Sequence, residues 1–224
     1  MNFLDLLWQS LPELLSGLRW TLEFSLLAIA ASLVIGTFAA LAKLSRNKIL
    51  KATASIYVEI FRGTPLLVQI LFIYTGLPIV LPLHEYFGSS YLIVAATTAL
   101  GLNEGAYICE IIRAGIVSVH KGQKEAALSI GLSEAQAMRM IIAPQAFRRM
   151  IPPLVNQFAQ TIKDTSLLAV ISGTELIYTG QVLIAQTFLA FQFWIVIALI
   201  YFVIIYSLSF AARRLEKKLE IYKR

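Results

Sequence analysis

Polar side chains stand in apolar stretches of the chain, where lipid would penalise them. Glu104 and Asn103 lie in the sequence LNEGAY, about midway through a predicted membrane span. A charged side chain near the bilayer centre costs about 2.5–3.5 kcal/mol on insertion scales, so it is usually paired or functional. A buried carboxylate can receive an ammonium or guanidinium group. Glu104 is therefore a candidate cation-binding group, with pairing to Lys163 or another span as the alternative.

A second polar group follows a helical period in a later apolar stretch. One row, at i, i+4 and i+7, consists of Asn156, Gln160 and Lys163. A second row beside it, with the same spacing, consists of Gln157, Thr161 and Asp164. Such a face should look toward protein or water rather than lipid. It could line a pathway for a polar solute or hydrogen-bond neighbouring helices, and both interpretations stay open. The candidate binding residues are thus Glu104, Asn103, Asn156, Gln160 and Asp164.

Two acid–base pairs and a few isolated residues have a structural interpretation. Glu59 with Arg62, and Glu110 with Arg113, are three residues apart, so each pair can form on one helix face. We expect them to fix helix orientation near the cytoplasmic leaflet. His84 and His120 are far apart and indicate no metal site. A lone cysteine, Cys109, excludes a disulfide within the chain.

The composition predicts the elements that must position these residues. The chain has 224 residues, 58% apolar and only 14% charged, which is typical of membrane proteins. A single all-α membrane domain, 1–224, is expected. A span needs roughly 20 mostly apolar residues, and five stretches meet or approach that: 20–42, 54–77, 90–117, 151–173 and 188–212. Pro65 and the pair Pro152-Pro153 predict irregularity in the second and fourth.

The N-terminal segment differs from a signal peptide. Residues 1–18 have no basic start, and acidic Asp5 and Glu13 interrupt the apolar run. Their helical apolar spacing predicts an amphipathic helix in the membrane interface, ahead of the first span.

Lysine and arginine predict the orientation. Of the 19 Lys and Arg residues, sixteen lie in or beside the loops after spans 1 and 3 and the tail after span 5. Only Arg19 lies on the opposite side, while Arg62 and Lys163 lie within spans. The basic side should be cytoplasmic, which places the N-terminus outside and the C-terminus inside. The net charge of +6 therefore indicates membrane orientation rather than nucleic-acid binding.

A weak internal repeat relates the two halves. The sequence YVEIFRGTPLLVQI at 57–70 aligns with FAQTIKDTSLLAVI at 158–171, with four identical positions of fourteen at an offset of 101. Parallel repeats are a known transporter architecture. Chance similarity between apolar segments is the alternative.

A polar module, 118–150, interrupts the spans. Residues 123–130 favour a short helix, and Gly131 can take the left-handed conformation that ends it. The sequence SEAQ from Ser133 is a capping box, so a second helix should start there and end at Pro144. Ala126, Ala127 and Ile130 would form a small apolar face suited to a groove on another protein. An ordinary loop packed on its own spans is the alternative.

This module resembles the EAA loop of bacterial ABC importer permeases. In that loop EAA is followed by three residues, a glycine, nine residues and I-x-L-P. This chain has the same spacing, with Glu125, Ala126, Ala127, Gly131 and Ile141 through Pro144. It departs only at Ala143, which replaces the leucine. Further stretches resemble the polar amino acid uptake subfamily: FRGTPLLVQ, GAYICEIIRAGI, PQAFRRMIPPLVNQF and KDTSLLAVI. Glu104 departs from that subfamily, which usually has a small or uncharged polar residue there.

The resemblance implies a type I ABC importer permease fold and a division of labour. Residues 122–144, with Glu125, Ala126, Ala127 and Gly131, would couple to a separate ATPase, which would bind the ATP and magnesium; this chain would need no cofactor. The sequence agrees, because no GxxxxGK[ST] phosphate-binding loop occurs. The expected role is a non-enzymatic permease that imports polar, mainly basic, amino acids across the bacterial inner membrane.

The resemblance also implies partners: a second copy or a homologous permease, and an extracytoplasmic amino acid binding protein. Five spans are too few to enclose a pathway alone, which favours a dimer. An ion-coupled secondary amino acid transporter is the alternative, because charges within spans suit either. A membrane scaffold without transport is a third interpretation, which the polar stripe and the repeat disfavour.

Overall fold

The computed structural model describes residues 2–171 and 174–221, with side chains to residue 214. The predicted all-α class is confirmed, since the described residues form helices and no strand. The helices are α1 (Phe3–Leu44), α2 (Lys48–Gly63), α3 (Leu66–Leu71), α4 (Leu77–Val80), α5 (Leu83–Phe87), α6 (Tyr91–Val117), α7 (Lys121–Ser129), α8 (Glu134–Ala137), α9 (Ala143–Asp164), α10 (Leu176–Thr187) and α11 (Ala190–Ile221). Short π-helical segments follow α3 and α8, and 3₁₀ turns precede α6 and follow α9.

The first span is longer than the sequence indicated. Residues 3–18 are helical, but they continue without a break into the span, so α1 is one helix rather than two. Placement of 1–18 in the membrane interface stays a prediction. α1 packs closely along α6, because a Cβ on Gly36 would lie 2.7 Å from the carbonyl oxygen of Gly105. Small residues of this kind let membrane helices approach each other closely.

The second predicted span is broken at Pro65. α2 ends at Gly63, and α3 to α4 continue at an angle of 106° to it. Thr64 is extended, with φ −121° and ψ 147°, as expected for a residue that precedes proline. The break therefore follows from the local sequence.

The fourth predicted span is also broken, but at a different place from the one predicted. α9 runs through Pro152 and Pro153 and ends at Asp164, where a 3₁₀ turn, Thr165–Val170, follows. The predicted span is thus divided between the end of α9 and this 3₁₀ turn, and α10 begins only after it, at Leu176. Residues 172–173, the end of the predicted span, lie outside the described residues.

The two breaks agree with the internal repeat. α2 ends at Gly63 and α9 at Asp164, two positions that the sequence offset of 101 pairs. Each half of the chain thus has an α-helix that ends at a paired position and is followed by a break in the regular helix.

Membrane spans are recognisable by length and apolarity in part of the described chain. Three helices qualify, at Phe3–Leu44, Leu83–Val117 and Ala190–Arg214, and the bent pair at Pro65 gives a fourth. The predicted fourth span, 151–173, does not stand out in this way. Its polar rows lower the apolarity of α9, which is long enough to span but not apolar enough.

The polar module has the predicted start and turn but not the predicted end. Gly131 has φ +86°, and the N–H groups of Gly131 and Leu132 donate to the carbonyls of Leu128 and Ala127, which is a Schellman ending. Ser133 and Gln136 form the capping box. The helix does not end at Pro144, because a π-helical segment, Met138–Ile142, carries it directly into α9. The wider turn of the π-helical segment accommodates the loss of the backbone N–H donor at Pro144.

Candidate functional site

A cavity of about 410 Å³ lies between the two helix breaks. The first break contributes Thr64, Pro65 and Leu66, and the second contributes Asp164 and Leu167. α6 and α9 supply the remaining lining side chains, namely Asn103, Glu104, Tyr107, Gln157 and Gln160. The cavity therefore exists because two spans stop inside the fold and leave polar side chains at the gap, as is typical of transporters.

Glu104 is almost completely buried in the wall of this cavity, with 1% of its surface exposed. Its Oε2 accepts a hydrogen bond from Gln157 Nε2, while its Oε1 has no hydrogen-bond partner among the described residues. Of the two expected alternatives, an ion pair with Lys163 is not formed, whereas a contact with another span is, through Gln157 of α9. A buried carboxylate oxygen without a donor is costly unless a ligand or water supplies one.

Asp164 places a second carboxylate at the same cavity. Its Oδ1 accepts a hydrogen bond of 2.7 Å from Gln160 Nε2, and it lies close enough to act electrostatically on Glu104. The cavity wall has no lysine or arginine among the described residues. Two carboxylates without a matching cation favour a positively charged solute.

Asn103 lines the cavity and also makes structural hydrogen bonds, so its role in binding stays a prediction. Its Nδ2 donates to the carbonyl of Phe61 at 3.0 Å and to Gln69 Oε1 at 2.9 Å. Gln69 Nε2 in turn donates to the carbonyls of Phe61 and Thr64 at 2.9 and 3.1 Å. The two amides thus satisfy carbonyls that the end of α2 leaves free. The sequence prediction missed Gln69, whose only signal was a polar residue in an apolar run.

Only some residues of the polar stripe on α9 line the cavity. Gln160 lines the cavity, whereas Asn156 is exposed on the isolated chain and does not line it. Gln157, from the neighbouring row, takes that place beside Glu104. Of the predicted binding residues on α9, Gln160 and Asp164 therefore line the cavity and Asn156 does not, while Gln157 comes from the second predicted row. The spacing of Gln157 and Asp164, at i and i+7, was the signal for the correct face.

The predicted charge pairs also differ from each other. Glu110 accepts from Lys43 Nζ at 2.6 Å and lies 2.8 Å from Arg113 Nη2, so it joins α1 and α6. Glu59 and Arg62, both among the described residues, form no ion pair. Arg62 instead stacks on the ring of Tyr107, with its Cζ 5.1 Å from the centroid. A cation–π contact of this kind replaces the predicted pairing with Glu59.

The predicted coupling residues lie on α7 and at its end. Glu125, Ala126 and Gly131 are exposed, but Ala127 is buried within its own chain with 3% exposure. Ile130, beside them, is 78% exposed. The surface available to another protein is therefore formed by Glu125, Ala126 and Ile130 rather than by both alanines.

Known proteins resemble this chain over nearly its full length. The family model described as binding-protein-dependent transport system inner membrane component matches residues 32–221. The glutamine transport system permease protein GlnP of Escherichia coli strain K12 is 42% identical over 215 residues, which are 96% of each chain. The probable glutamine ABC transporter permease protein GlnM of Bacillus subtilis strain 168 is 38% identical, over 96% of this chain and 97% of that protein.

Solved structures show the same fold. A chain from an amino acid ABC transporter crystallised with histidines superposes with a TM-score of 0.87 at 38% identity, over 97% of this chain and 99% of that one. A chain of the MetNI methionine ABC transporter has a TM-score of 0.77 at 17% identity, which supports the fold alone. The predicted type I importer fold is thus confirmed, as is a non-enzymatic role beside separate ATPase subunits. This chain belongs to the family of inner membrane components of binding-protein-dependent transport systems, as a multi-pass permease subunit of an amino acid ABC importer.

Proposed function

We propose that the cavity between the helix breaks is the substrate site of this permease and that it favours basic amino acids. The observation that carries this proposal is the pair of carboxylates, Glu104 and Asp164, at one cavity without a lining cation. The free oxygen of Glu104 has the chemistry to accept a hydrogen bond from an ammonium or guanidinium group. At about 410 Å³, the cavity falls within the usual range for small-molecule sites, roughly 300–1,000 Å³.

A neutral polar amino acid is the second candidate substrate. GlnP of Escherichia coli and GlnM of Bacillus subtilis are named for glutamine transport. A side-chain amide can form hydrogen bonds with Gln160 or with the two carboxylates. Every α-amino acid also carries an α-ammonium group, so one carboxylate suits both classes. The second carboxylate distinguishes them, because only a basic substrate brings a second cation to neutralise it.

The remaining parts of the system follow from membership in the family. The exposed surface of α7, within 122–144, docks on the ATPase, and ATP and magnesium are bound there and not by this chain. A second permease copy or a homologous permease completes the pathway, and an extracytoplasmic binding protein delivers the amino acid. The sixteen basic residues on one side support an outer N-terminus and a cytoplasmic C-terminus.

The test is the substitution Glu104→Gln in the assembled transporter. This change keeps the shape of the side chain but removes its charge, so uptake of arginine should fall more than uptake of glutamine. The measurement is the ratio of initial uptake rates for labelled arginine and glutamine in proteoliposomes with ATPase and binding protein. Glu59→Gln is the matched control, because Glu59 is an exposed carboxylate on α2 that does not line the cavity.

An equal loss for both substrates would assign Glu104 to structure, since its neighbour Gln157 would lose a charged partner. An unchanged ratio in Glu104→Gln, with normal amounts of protein, would remove the carboxylate from selectivity.

A further inference from the structure

A second cavity, of about 550 Å³, adjoins the first on the side of the coupling module. Its lining includes Arg62 of α2, Glu110 of α6, Ser118 at the end of α6, and Arg149 of α9. Tyr107 and Gln157 line both cavities, so they form the partition between them. We call this second space the inner cavity.

The inner cavity has the opposite charge to the proposed substrate site. Arg62 and Arg149 are both cationic, and neither forms an ion pair among the described residues. Glu110 is the acidic group of the lining, and it is already neutralised by Lys43 at 2.6 Å and Arg113 at 2.8 Å. The field of the inner cavity is therefore positive, whereas that of the neighbouring site is negative.

Both arginines are held in place by contacts that leave donors free. Arg62 is stacked on Tyr107 at 5.1 Å, a contact that uses the face of the guanidinium and not its N–H groups. Arg149 Nη1 donates to the carbonyl and hydroxyl of Ser118, while a guanidinium has five N–H donors in all. A planar fork of free donors is the preferred partner of a carboxylate.

We infer that the inner cavity is a second amino acid site, which binds the α-carboxylate through Arg62 and Arg149. This inference rests on the proposed function of the first cavity. A solute that leaves the acidic site through the partition of Tyr107 and Gln157 brings its carboxylate toward the arginines. The same site can be occupied from the cytoplasmic side by an amino acid that is already inside, and such occupancy slows import.

The experiment measures import against a rising internal concentration of unlabelled solute. The complete transporter in proteoliposomes, with ATP inside and binding protein outside, takes up labelled arginine. The internal solute is either arginine or agmatine, which keeps the guanidinium but lacks the carboxylate. Wild-type import should be inhibited by internal arginine and only weakly by agmatine.

The variants are Arg62→Gln, Arg149→Gln and Arg149→Lys, each normalised to its own rate without internal solute. Both glutamine variants should raise the half-inhibiting arginine concentration about tenfold, as expected when a charge-assisted hydrogen bond is lost. Arg149→Lys should be less affected, because it keeps the charge. The matched control is Arg148→Gln, since Arg148 is an exposed neighbour that does not line the cavity.

Three results would overturn the second site: a wild-type transporter insensitive to internal arginine, equal inhibition by agmatine, or unchanged sensitivity in both glutamine variants. These results are separate from a failure of the first site. Any of these results could be found together with a Glu104→Gln variant whose arginine-to-glutamine uptake ratio is altered. In that case the substrate site would stand, and only the inner site would be rejected.

Discussion

At the residue scale, the cavity wall contains side chains that keep a polar atom without a partner among the described residues and side chains whose polar atoms are already hydrogen-bonded. Asn103 and Glu104 are neighbours in sequence, and both are buried. The amide nitrogen of Asn103 is occupied by Phe61 and Gln69, whereas Glu104 keeps one free oxygen. Two adjacent polar residues therefore have different roles, and their variants should give different phenotypes.

Asn103→Ala should weaken the protein rather than change its selectivity. The substitution leaves the carbonyl of Phe61 and the oxygen of Gln69 with fewer donors in a buried place, at a cost of about 1–3 kcal/mol. The thermal unfolding midpoint of the purified complex should fall, and the arginine-to-glutamine uptake ratio should stay constant. Asn156→Ala is the control, because that amide is exposed and makes no contact with the cavity. A changed ratio in Asn103→Ala would return Asn103 to the substrate-binding residues.

The sequence makes Glu104 conspicuous and Gln69 inconspicuous, for a physical reason. An acid in an apolar run is improbable without a function or a partner, so it is conspicuous. A single glutamine in the same setting has many possible partners. Its role becomes clear only where the chain places it beside the free carbonyls at the end of α2.

At the element scale, the helix breaks were predictable only where proline makes them. Thr64 must be extended because Pro65 follows it, and α2 ends there. The break at Asp164 has no proline, and the prolines at 152 and 153 do not break α9. The two prolines have no N–H to donate to the carbonyls of Arg148 and Arg149, one turn earlier. Both arginines are exposed, so those carbonyls can face water or other donors. The effect of a proline pair thus depends on surroundings that the sequence does not specify.

The polar module is joined to the connection between α1 and α2 by an ion pair. Arg46 Nη2, in the connection between α1 and α2, donates to both carboxylate oxygens of Glu134 at 2.7 Å. The pair links the start of α8 to the connection that follows α1, but it is exposed, so its energy is small, about 0.2–1 kcal/mol. Its sequence separation of 88 residues explains why spacing alone could not predict it.

Arg46→Glu or Glu134→Arg should reduce the amino acid imported per ATP hydrolysed, by up to about fivefold, which corresponds to that energy. The double exchange, Arg46→Glu with Glu134→Arg, should recover most of the loss because the opposite charges again face each other. Lys48→Glu is the control for a reversed charge in the same connection. If the double variant were as defective as the single ones, the pair would have no part in transmission.

The ending of α7 gives a sharper prediction for docking on the ATPase. Gly131 has φ +86° and its N–H donates to Leu128, whereas proline has φ near −65° and no N–H. Gly131→Pro should therefore disrupt the Schellman ending, and Glu125→Lys should reverse the charge of the exposed surface. Both should lower the amount of ATPase that copurifies and abolish uptake. Lys121→Gln, at the start of the same helix, is the control. Wild-type recovery and transport for both variants would exclude coupling through α7.

At the scale of the whole molecule, the basic residues predict one orientation in the membrane, and the repeat relates the two halves of the chain. The two halves each break a span at paired positions, and the cavity forms where the breaks meet. The class of fold and the identity of the module were predictable from composition, apolar length and motif spacing. The cavity was not, because it depends on how the two halves pack. That packing in turn places the acidic cavity beside the basic inner cavity, with Tyr107 and Gln157 between them.

The orientation can be tested with single cysteines and a membrane-impermeant thiol reagent. Tyr86→Cys, at an exposed position before α6, should react in intact cells, and Ala135→Cys, in the exposed part of α8, only after the membrane is opened. The native Cys109 is buried with 0% exposure, so it should give little background. The physical reason is the concentration of sixteen of the 19 basic residues on one side. The opposite pattern of reaction would place α7 outside the cell, where no ATPase could dock, and would contradict both the coupling surface and the direction of the inner cavity.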